Sequence, residues 1–236
     1  MAPRLLVLTA AAGVPEAVAT AAARALGGEA RRLADTAVEV AFAGAVPDGL
    51  AVPGCDANIV PAEGRRKRIL VADMDSTIIG VECIDELADF AGFKAEVAAI
   101  TEAAMRGELD FEAALTARVG LLQGLPAGVL EECYAERVRL NPGARTLVAT
   151  MAALGAETAL VSGGFTYFSE RVAQAAGFAR HQANELLIAD GALTGDVARP
   201  ILGRVATKGL ADELYDKGYL IVDGTDGRVH YVALPP

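Results

Sequence analysis

The sequence contains no tryptophan, two histidines, three cysteines and no apolar run long enough to span a bilayer, so no membrane partner is expected. The cysteines (Cys55, Cys83 and Cys133) are odd in number and lack metal-site spacing, which indicates reduced thiols in a cytoplasmic protein. Positive charge is also scarce, because 31 acidic residues outnumber 21 lysines and arginines and the net charge is −10. This balance disfavours nucleic acid as a main partner, since phosphate backbones bind to basic faces.

What the sequence does contain is typical of a packed, globular protein. Apolar residues make up 53% of its 236 residues, enough for one domain of ordinary size and a small appended one. The one strongly basic stretch, residues 65–68, is interpreted as a solvated linker that enters a strand, although a binding patch stays open as an alternative. Residues 1–12 faintly resemble a signal peptide, but their apolar run is short and favours a first strand.

The pattern along the chain predicts two domains and a tail. Residues 1–62 contain a buried strand, an alanine-rich helix and an alternating strand, which predict a small α+β domain. Residues 63–204 alternate strands and helices, with helical patterns over about 83–139 and a hairpin in 183–197 that turns at Asp190-Gly191. This order predicts an α/β fold with a doubly wound, Rossmann-like parallel sheet, whose ligands bind at the carboxyl ends of the strands.

Two aspartates follow the first strand of the second domain. Asp73 comes directly after an apolar run, and Asp75 lies two residues further on. Such a pair suits phosphoryl transfer, because one carboxylate can attack phosphorus while the other protonates the leaving oxygen and later activates water. The charge on the transferring group then requires Mg²⁺ or an equivalent cation. A simple Asp-x-Asp turn after a strand is common too, so the pair alone leaves both interpretations open.

Further motifs occur in order along the chain: Asp73-Met-Asp-Ser-Thr-Ile-Ile79, Glu82-Cys-Ile-Asp-Glu-Leu-Ala88, Met105-Arg-Gly-Glu-Leu-Asp-Phe111 with Arg118-Val119, Val161-Ser-Gly-Gly-Phe165, and Pro200-Ile-Leu-Gly203. Together they resemble the phosphoserine phosphatase family of the haloacid dehalogenase superfamily. The resemblance covers about residues 1–204, with a degenerate regulatory, ACT-like domain in front and a helical cap at about 80–140. It implies Mg²⁺-dependent hydrolysis of a small molecule, O-phospho-L-serine, in L-serine biosynthesis.

The resemblance also implies the role of each residue at the reacting phosphorus. Asp73 would be the nucleophile and a metal ligand. Asp75 would be the general acid and base and would give its backbone carbonyl to Mg²⁺. Ser162 and Gly163 would hydrogen-bond the transferring phosphoryl group.

Four residues of the predicted cap would contact the rest of the substrate. Glu82 would bind its ammonium group, and Arg118 its carboxylate as a bidentate pair. Met105 and Phe111 would close the apolar side of the pocket and exclude water. Without the resemblance, core packing is the favoured interpretation of Met105 and Phe111, and a surface ion pair is the alternative for Glu82 and Arg118.

The segment 205–236 departs from the family pattern. Lys208 is the candidate for the lysine that neutralises the phosphoryl group, but it is displaced by one residue, which on a helix is a rotation of about 100°. An exposed lysine at the start of a helix is the alternative. Asp223 follows an apolar run and is the candidate for a further metal ligand, or else it helps form the turn of a hairpin between 219–222 and 229–233.

The run 209–234 also resembles a stretch of relaxase-type mobilisation proteins. In that case residues from about 205 would form a foreign, atypical helix–hairpin tail, and the chain would be a gene fusion or a truncation. The alternative function is then a catalytically impaired phosphatase remnant that acts at most as a binding protein. A parallel sheet without its last strand would expose an apolar edge and invite aggregation. His181 and His230 are isolated and are interpreted as structural, and the oligomeric state is not predicted.

Overall fold

A computed structural model of the chain describes residues 3–46 and 52–203 and the backbone of 219–222. The chain divides into two compact units, Met1–Arg66 and Lys67–Pro236. In these described ranges, no helix combines the length and the apolar character that crossing a membrane requires.

The first unit is an antiparallel sheet with one helix. Its elements are β1 (Arg4–Thr9), α1 (Glu16–Leu26), β2 (Glu29–Ala34), β3 (Ala37–Phe42) and β4 (Asp56–Pro61). The strands are ordered β2-β3-β1-β4. Helix α1 begins after Pro15 and ends at Gly27, which has the left-handed φ of 60° that a glycine cap allows. Apolar side chains of β1 and β3 pack on α1, and they form the core of this unit.

A buried carboxylate, Glu39, lies on the strand β3 and is only 6% exposed. It accepts hydrogen bonds from Arg31 Nε at 2.8 Å and from Arg65 Nη1 at 2.5 Å. Burial alone would raise the pKa of Glu39, but the hydrogen bonds and charges of Arg65 and Arg31 outweigh it and hold that pKa below its usual value. One arginine of the basic run 65–68 is therefore engaged within its own unit.

The second unit is built on a parallel sheet ordered β10-β5-β6-β7. The strands are β5 (Ile69–Ala72), β6 (Glu157–Phe165), β7 (Arg180–Asn184) and β10 (Tyr219–Val222). The helix α6 (Ala144–Ala153) directly precedes β6, and the helix α7 (Thr166–Ala176) connects β6 to β7. All four residues of β5 are buried, as expected for a strand covered on both faces. The predicted parallel α/β fold is confirmed.

Helices form an insertion between β5 and α6 that corresponds to the predicted cap. They are α2 (Cys83–Ala91), α3 (Lys94–Met105), α4 (Phe111–Gly120) and α5 (Val129–Arg137), and we refer to these helices as the cap. The hairpin of β8 (Leu186–Ala189) and β9 (Ala192–Val197) follows β7. It turns at Asp190-Gly191, where both φ values are positive, as the sequence predicted. Buried side chains of the sheet, α7 and the cap form one apolar cluster.

The strand β10 corrects one expectation. The sequence predicted a sheet that lacks its last strand, with 219–222 in a hairpin. The backbone of β10 pairs in parallel with β5, and Val222 lies opposite Ala72. The predicted partner strand, 229–233, lies outside the described residues.

Candidate active site

The strand β5 delivers Asp73 to the carboxyl end of the parallel sheet. Asp73 Oδ1 accepts a hydrogen bond from Met74 N at 2.8 Å. The chain then makes a single irregular turn over Met74–Ile78, closed by Ile79 N donating to Met74 O at 3.0 Å. Within it Ser76 has a φ of 52°, in the left-handed region that non-glycine residues rarely adopt. This turn, which we call the nucleophile loop (Asp73–Ile79), holds both predicted catalytic aspartates.

The Asp75 carboxyl group is oriented from two sides. Its Oδ1 accepts from Cys83 N at the start of α2 at 3.0 Å, and its Oδ2 accepts from Ser162 Oγ at 3.3 Å. Ser162 Oγ in turn accepts from Gly164 N at 2.9 Å. A Cβ atom at Gly164 would lie 2.6 Å from Asp75 Oδ2, so only glycine fits beside this carboxyl. The structure thus brings Asp75 and Ser162 together, as the motifs predicted.

The surroundings of Asp75 change its acidity. Burial raises the pKa of Asp75 to about 6, and the nearby charge of Glu82 acts in the same direction. The hydrogen bonds from Cys83 and Ser162 oppose this shift but do not cancel it. A carboxyl with a pKa near 6 can both donate and accept a proton close to neutral pH, which general acid–base catalysis requires.

Two charged residues of the predicted substrate site lie on the cap side. Glu82 is exposed just before α2, and its Oε1 is 2.7 Å from Ser76 Oγ of the nucleophile loop. Arg118 in α4 is half-buried, and its Nε donates to Ala114 O at 3.3 Å. Burial lowers the pKa of Arg118, while the charges of Asp85 and Glu82 raise it. The other N–H groups of this guanidinium are donors that can receive an anionic group.

The two apolar residues predicted to close the pocket differ in position. The ring of Phe111, at the start of α4, approaches so closely that a Cβ atom at Gly163 would lie 2.9 Å from Phe111 Cζ. It also contacts the backbone near Gly203, where an added Cβ atom would be 3.1 Å from Cδ1. Met105 ends α3 with 84% of its surface exposed, so in this structure it covers nothing. Phe111 is therefore at the site, whereas the closing role of Met105 stays a prediction.

Asn184 is a residue of this region that the sequence reasoning missed. Its Nδ2 donates to Gly163 O at 2.8 Å and to Leu202 O at 3.2 Å, and its Oδ1 accepts from Leu202 N at 2.7 Å. The buried amide thereby ties the end of β7 to the backbone of Gly163, a predicted phosphate-binding residue, and to that of Leu202. No local signal could have identified it, because its partners are distant in sequence.

The donors at this edge of the sheet fit a hard divalent cation. The carboxylate of Asp73 and the backbone carbonyl of Asp75 are oxygen ligands, and Mg²⁺ commonly takes one or two protein carboxylates and completes its shell with water and substrate phosphate. Across residues 3–46 and 52–203, no group of three or more histidine, cysteine, aspartate or glutamate side chains forms a closed metal site. The predicted Lys208 and Asp223 lie outside the described residues.

Comparisons with known proteins agree with this geometry. Residues 70–225 match the family model of haloacid dehalogenase-like hydrolases, so the match continues beyond residue 204. A curated phosphoserine phosphatase from Albidiferax ferrireducens is 52% identical over 129 residues, which cover 54% of this chain and 54% of that protein. The chain spans about half the length of the curated relatives it matches first.

Solved structures are similar as well. The unliganded crystal structure of a probable phosphoserine phosphatase from Vibrio cholerae superposes with a TM-score of 0.72 at 29% identity, covering 95% of this chain and 74% of that one. A phosphoserine phosphatase structure described as a phospho-aspartyl intermediate analogue superposes with a TM-score of 0.60 at 32% identity, covering 67% of this chain and 78% of that one.

Proposed function

Because this chain belongs to the haloacid dehalogenase-like hydrolase family, we propose that it is a phosphoserine phosphatase, which hydrolyses O-phospho-L-serine to L-serine and phosphate. The observation that carries the proposal is the Asp75 carboxyl, held by Cys83 N and Ser162 Oγ two residues after the strand-ending Asp73. The similarity to curated phosphoserine phosphatases supports the substrate class. A cytoplasmic role in L-serine biosynthesis is part of the same proposal.

The first half of the reaction transfers the phosphoryl group to the protein. A carboxylate oxygen of Asp73 attacks phosphorus, and the bond from phosphorus to the serine oxygen breaks. Asp75 gives its proton to that oxygen, so L-serine leaves as the neutral alcohol at its side chain. The pKa of about 6 at Asp75 means that a useful fraction of this carboxyl is protonated near neutral pH.

The second half hydrolyses the resulting aspartyl phosphate. Asp75, now deprotonated, takes a proton from a water molecule that attacks phosphorus, and phosphate leaves with the carboxylate of Asp73 restored. Ser162 and the backbone of Gly163 would hydrogen-bond the phosphoryl oxygens during both steps. The ring of Phe111, which lies close to Gly163, would help to exclude bulk water from that side once substrate is bound.

The cap supplies recognition of the amino acid. Glu82 would bind the ammonium group of the substrate, with Ser76 Oγ holding its carboxylate in place at 2.7 Å. The half-buried guanidinium of Arg118 would bind the substrate carboxylate through two parallel hydrogen bonds. Phe111 and, in a closed state of the cap, Met105 would cover the apolar side.

Residues of the carboxyl edge would hold Mg²⁺: Asp73 through its carboxylate, Asp75 through its backbone carbonyl and Asp223 through its carboxylate. The cation supplies charge neutralisation for the transferring phosphoryl group when it is bound. The parallel pairing of β10 with β5 supports a role for Asp223, because Val222, the residue before it, lies opposite Ala72, the residue before Asp73. Lys208 would neutralise further negative charge on the phosphoryl group.

The same pairing favours an active enzyme over an impaired remnant. The strand β10 covers the edge of β5 that the sequence predicted to be open, and the family match continues to residue 225. The resemblance of 209–234 to relaxase-type proteins stays a separate prediction. The DNA sequence beyond codon 204 would test it, because a family-like continuation in another reading frame would establish a disrupted phosphatase gene.

Phosphate release from O-phospho-L-serine in the presence of Mg²⁺ tests the proposal. We expect turnover by the wild type, none by Asp73→Asn and a strong loss with Asp223→Ala, since these changes remove the nucleophile and a proposed ligand. Arg106→Lys, an exposed cap arginine paired with Glu108, is the matched control and should keep wild-type rates. A folded wild type without turnover would contradict the proposal, and full activity of Asp223→Ala would reject that residue as a ligand.

A further inference from the structure

The two chain segments that connect the cap to the core run side by side. The outgoing segment leaves the nucleophile loop at Ile79, and the returning segment ends the cap at Leu140; these two residues form an antiparallel bridge. Directly after the bridge, Asn141 N donates to Ile78 O at 2.9 Å. The return from the cap is therefore joined to the nucleophile loop by backbone hydrogen bonds.

The side chain of Asn141 adds a further bond to the same loop. Its Nδ2 donates to Thr77 O at 2.8 Å, across 64 positions of sequence. Its Oδ1 lies on the side of Gly80, where an added Cβ atom would be only 3.1 Å away. The orientation of the amide is determined by this arrangement, because the opposite orientation would place its oxygen against the Thr77 carbonyl.

The backbone of the nucleophile loop is irregular. It is not a regular helix, since Asp75 has extended backbone angles and Ser76 is left-handed. Ile79 N donating to Met74 O and Ser76 N donating to Val81 O are backbone bonds that close it. A loop of this kind is easily displaced, and its aspartates must keep their places to within a fraction of an ångström for phosphoryl transfer.

We propose that Asn141 is a positioning residue that holds the nucleophile loop in its reactive conformation through Thr77 O. The two bonds of Asn141 to this loop go to the backbone carbonyls of Thr77 and Ile78, so it acts through the loop backbone. Because the bond holds the loop and not the substrate, its loss reduces the rate of chemistry and leaves substrate binding nearly unchanged. This inference rests on the proposed phosphatase function for its kinetic part only.

Two substitutions remove the bond in different ways. Asn141→Ala deletes the donor, and Asn141→Asp keeps the shape but places a carboxylate oxygen against the Thr77 carbonyl. We expect kcat for O-phospho-L-serine to fall about ten- to a hundredfold, more for Asn141→Asp, while KM changes by less than about threefold. Hydrolysis of p-nitrophenyl phosphate, which lacks the amino-acid group, should fall by the same factor.

Thr158→Val is the matched control. Thr158 Oγ1 accepts from Ala179 N at 2.9 Å near the start of β6, at the opposite end of that strand from Ser162. Valine has the same shape as threonine and removes one buried side chain–backbone hydrogen bond of similar length. We expect it to lower the melting temperature about as much as Asn141→Ala while kcat stays at the wild-type value.

Hydrogen–deuterium exchange of the peptide covering residues 73–82 provides a readout that does not depend on substrate. We expect exchange about tenfold or more faster in Asn141→Ala and unchanged in Thr158→Val. Loop exchange that stays at the wild-type rate, or a wild-type kcat despite faster exchange, would overturn the inference. If the wild type fails to hydrolyse phosphoserine, the proposed function fails, and loop exchange alone then decides for or against the positioning role of Asn141.

Discussion

Glu39 in the first unit and Asp75 in the second are both largely withdrawn from water, but their surroundings shift their pKa values in opposite directions. Glu39 is met by two arginines, and its pKa is held below the usual value. Asp75 is met by the uncharged donors Cys83 N and Ser162 Oγ, and burial raises its pKa to about 6. Desolvation raises the pKa of both groups, but at Glu39 the two arginines outweigh it.

From that difference we expect a structural role for Glu39, and it supports the proposed role of Asp75 as general acid and base. Two guanidinium groups keep Glu39 ionised at any ordinary pH, which makes it a fixed partner in the sheet of its unit. Among the described residues no cation is in hydrogen-bond contact with Asp75, and a carboxyl with a pKa of about 6 can give and take a proton near neutral pH. The comparison predicts which change affects activity and which affects stability alone.

The largest expected effect is on catalysis by Asp75→Asn. The amide can still accept from Cys83 N but can no longer transfer a proton, so kcat for O-phospho-L-serine should fall about 10²- to 10⁴-fold. Glu39→Gln, the matched carboxyl-to-amide change, should leave kcat unchanged. Steady-state phosphate release with Mg²⁺ measures both, and comparable losses in the two variants would refute the distinction.

The pH dependence of stability should separate the two residues next. Folding raises the pKa of Asp75, so this residue stabilises the folded state fully below its unfolded pKa of about 3.8. That contribution to the free energy of unfolding is lost as pH rises through about 6, and it amounts to roughly 3 kcal/mol. Glu39 has a lowered pKa, so its contribution is present above about 4.5 and is lost as pH falls through the folded value.

Urea denaturation of the metal-free protein between pH 3 and 8 provides the test, with pH values spaced by about one unit. Asp75→Asn should flatten the loss of stability between about pH 4 and 7, and Glu39→Gln should flatten only the loss at acid pH. A wild-type curve whose stability rises steadily through pH 6, unaltered by Asp75→Asn, would contradict the raised pKa.

A smaller effect is expected from Glu39→Gln at neutral pH. The substitution leaves Arg31 and Arg65 without their shared carboxylate, but Arg31 is largely exposed and water compensates it. The free energy of unfolding should fall by about 1–2 kcal/mol with kcat unaffected. Denaturant unfolding at pH 7 measures it, and Arg32→Gln, which removes an ion pair with the exposed Glu16, is a control with a smaller expected loss.

Substrate discrimination by Arg118 extends the comparison to a third charged side chain, whose proposed partner is the carboxylate of the substrate. Arg118→Lys keeps the charge but loses the planar fork, so KM for O-phospho-L-serine should rise about tenfold or more. Turnover of O-phosphoethanolamine, which has no carboxylate, should change little. Equal losses with both substrates would show that Arg118 does not bind the carboxylate.

Local sequence was enough to predict the strand β5 and the hairpin of β8 and β9. The apolar run before Asp73 predicts a buried strand because it is short and uninterrupted, and Asp190-Gly191 predicts its turn because both positions need a positive φ. Glu39 illustrates the limit: alternation along β3 suggests a solvent-facing carboxylate, and only arginines from β2 and from residue 65 explain its burial.

Long-range contacts account for what the sequence reasoning missed. Asn141 and Asn184 bond to backbone groups 64 and 21 positions away, and an asparagine carries no local mark of such partners. The run of β10 was predicted to be a strand, but its parallel neighbour depends on which edge of β5 is free. Met105 has an apolar side chain that predicts burial, yet it ends a helix with most of its surface exposed.

The measurement that tests the central claim most directly is detection of the covalent intermediate. Enzyme turning over radiolabelled O-phospho-L-serine with Mg²⁺ is quenched in acid, digested and analysed for the labelled peptide. The account predicts label on the peptide that contains Asp73 in the wild type and none in Asp73→Asn. Label on another peptide, or phosphate release by Asp73→Asn at the wild-type rate, would contradict it.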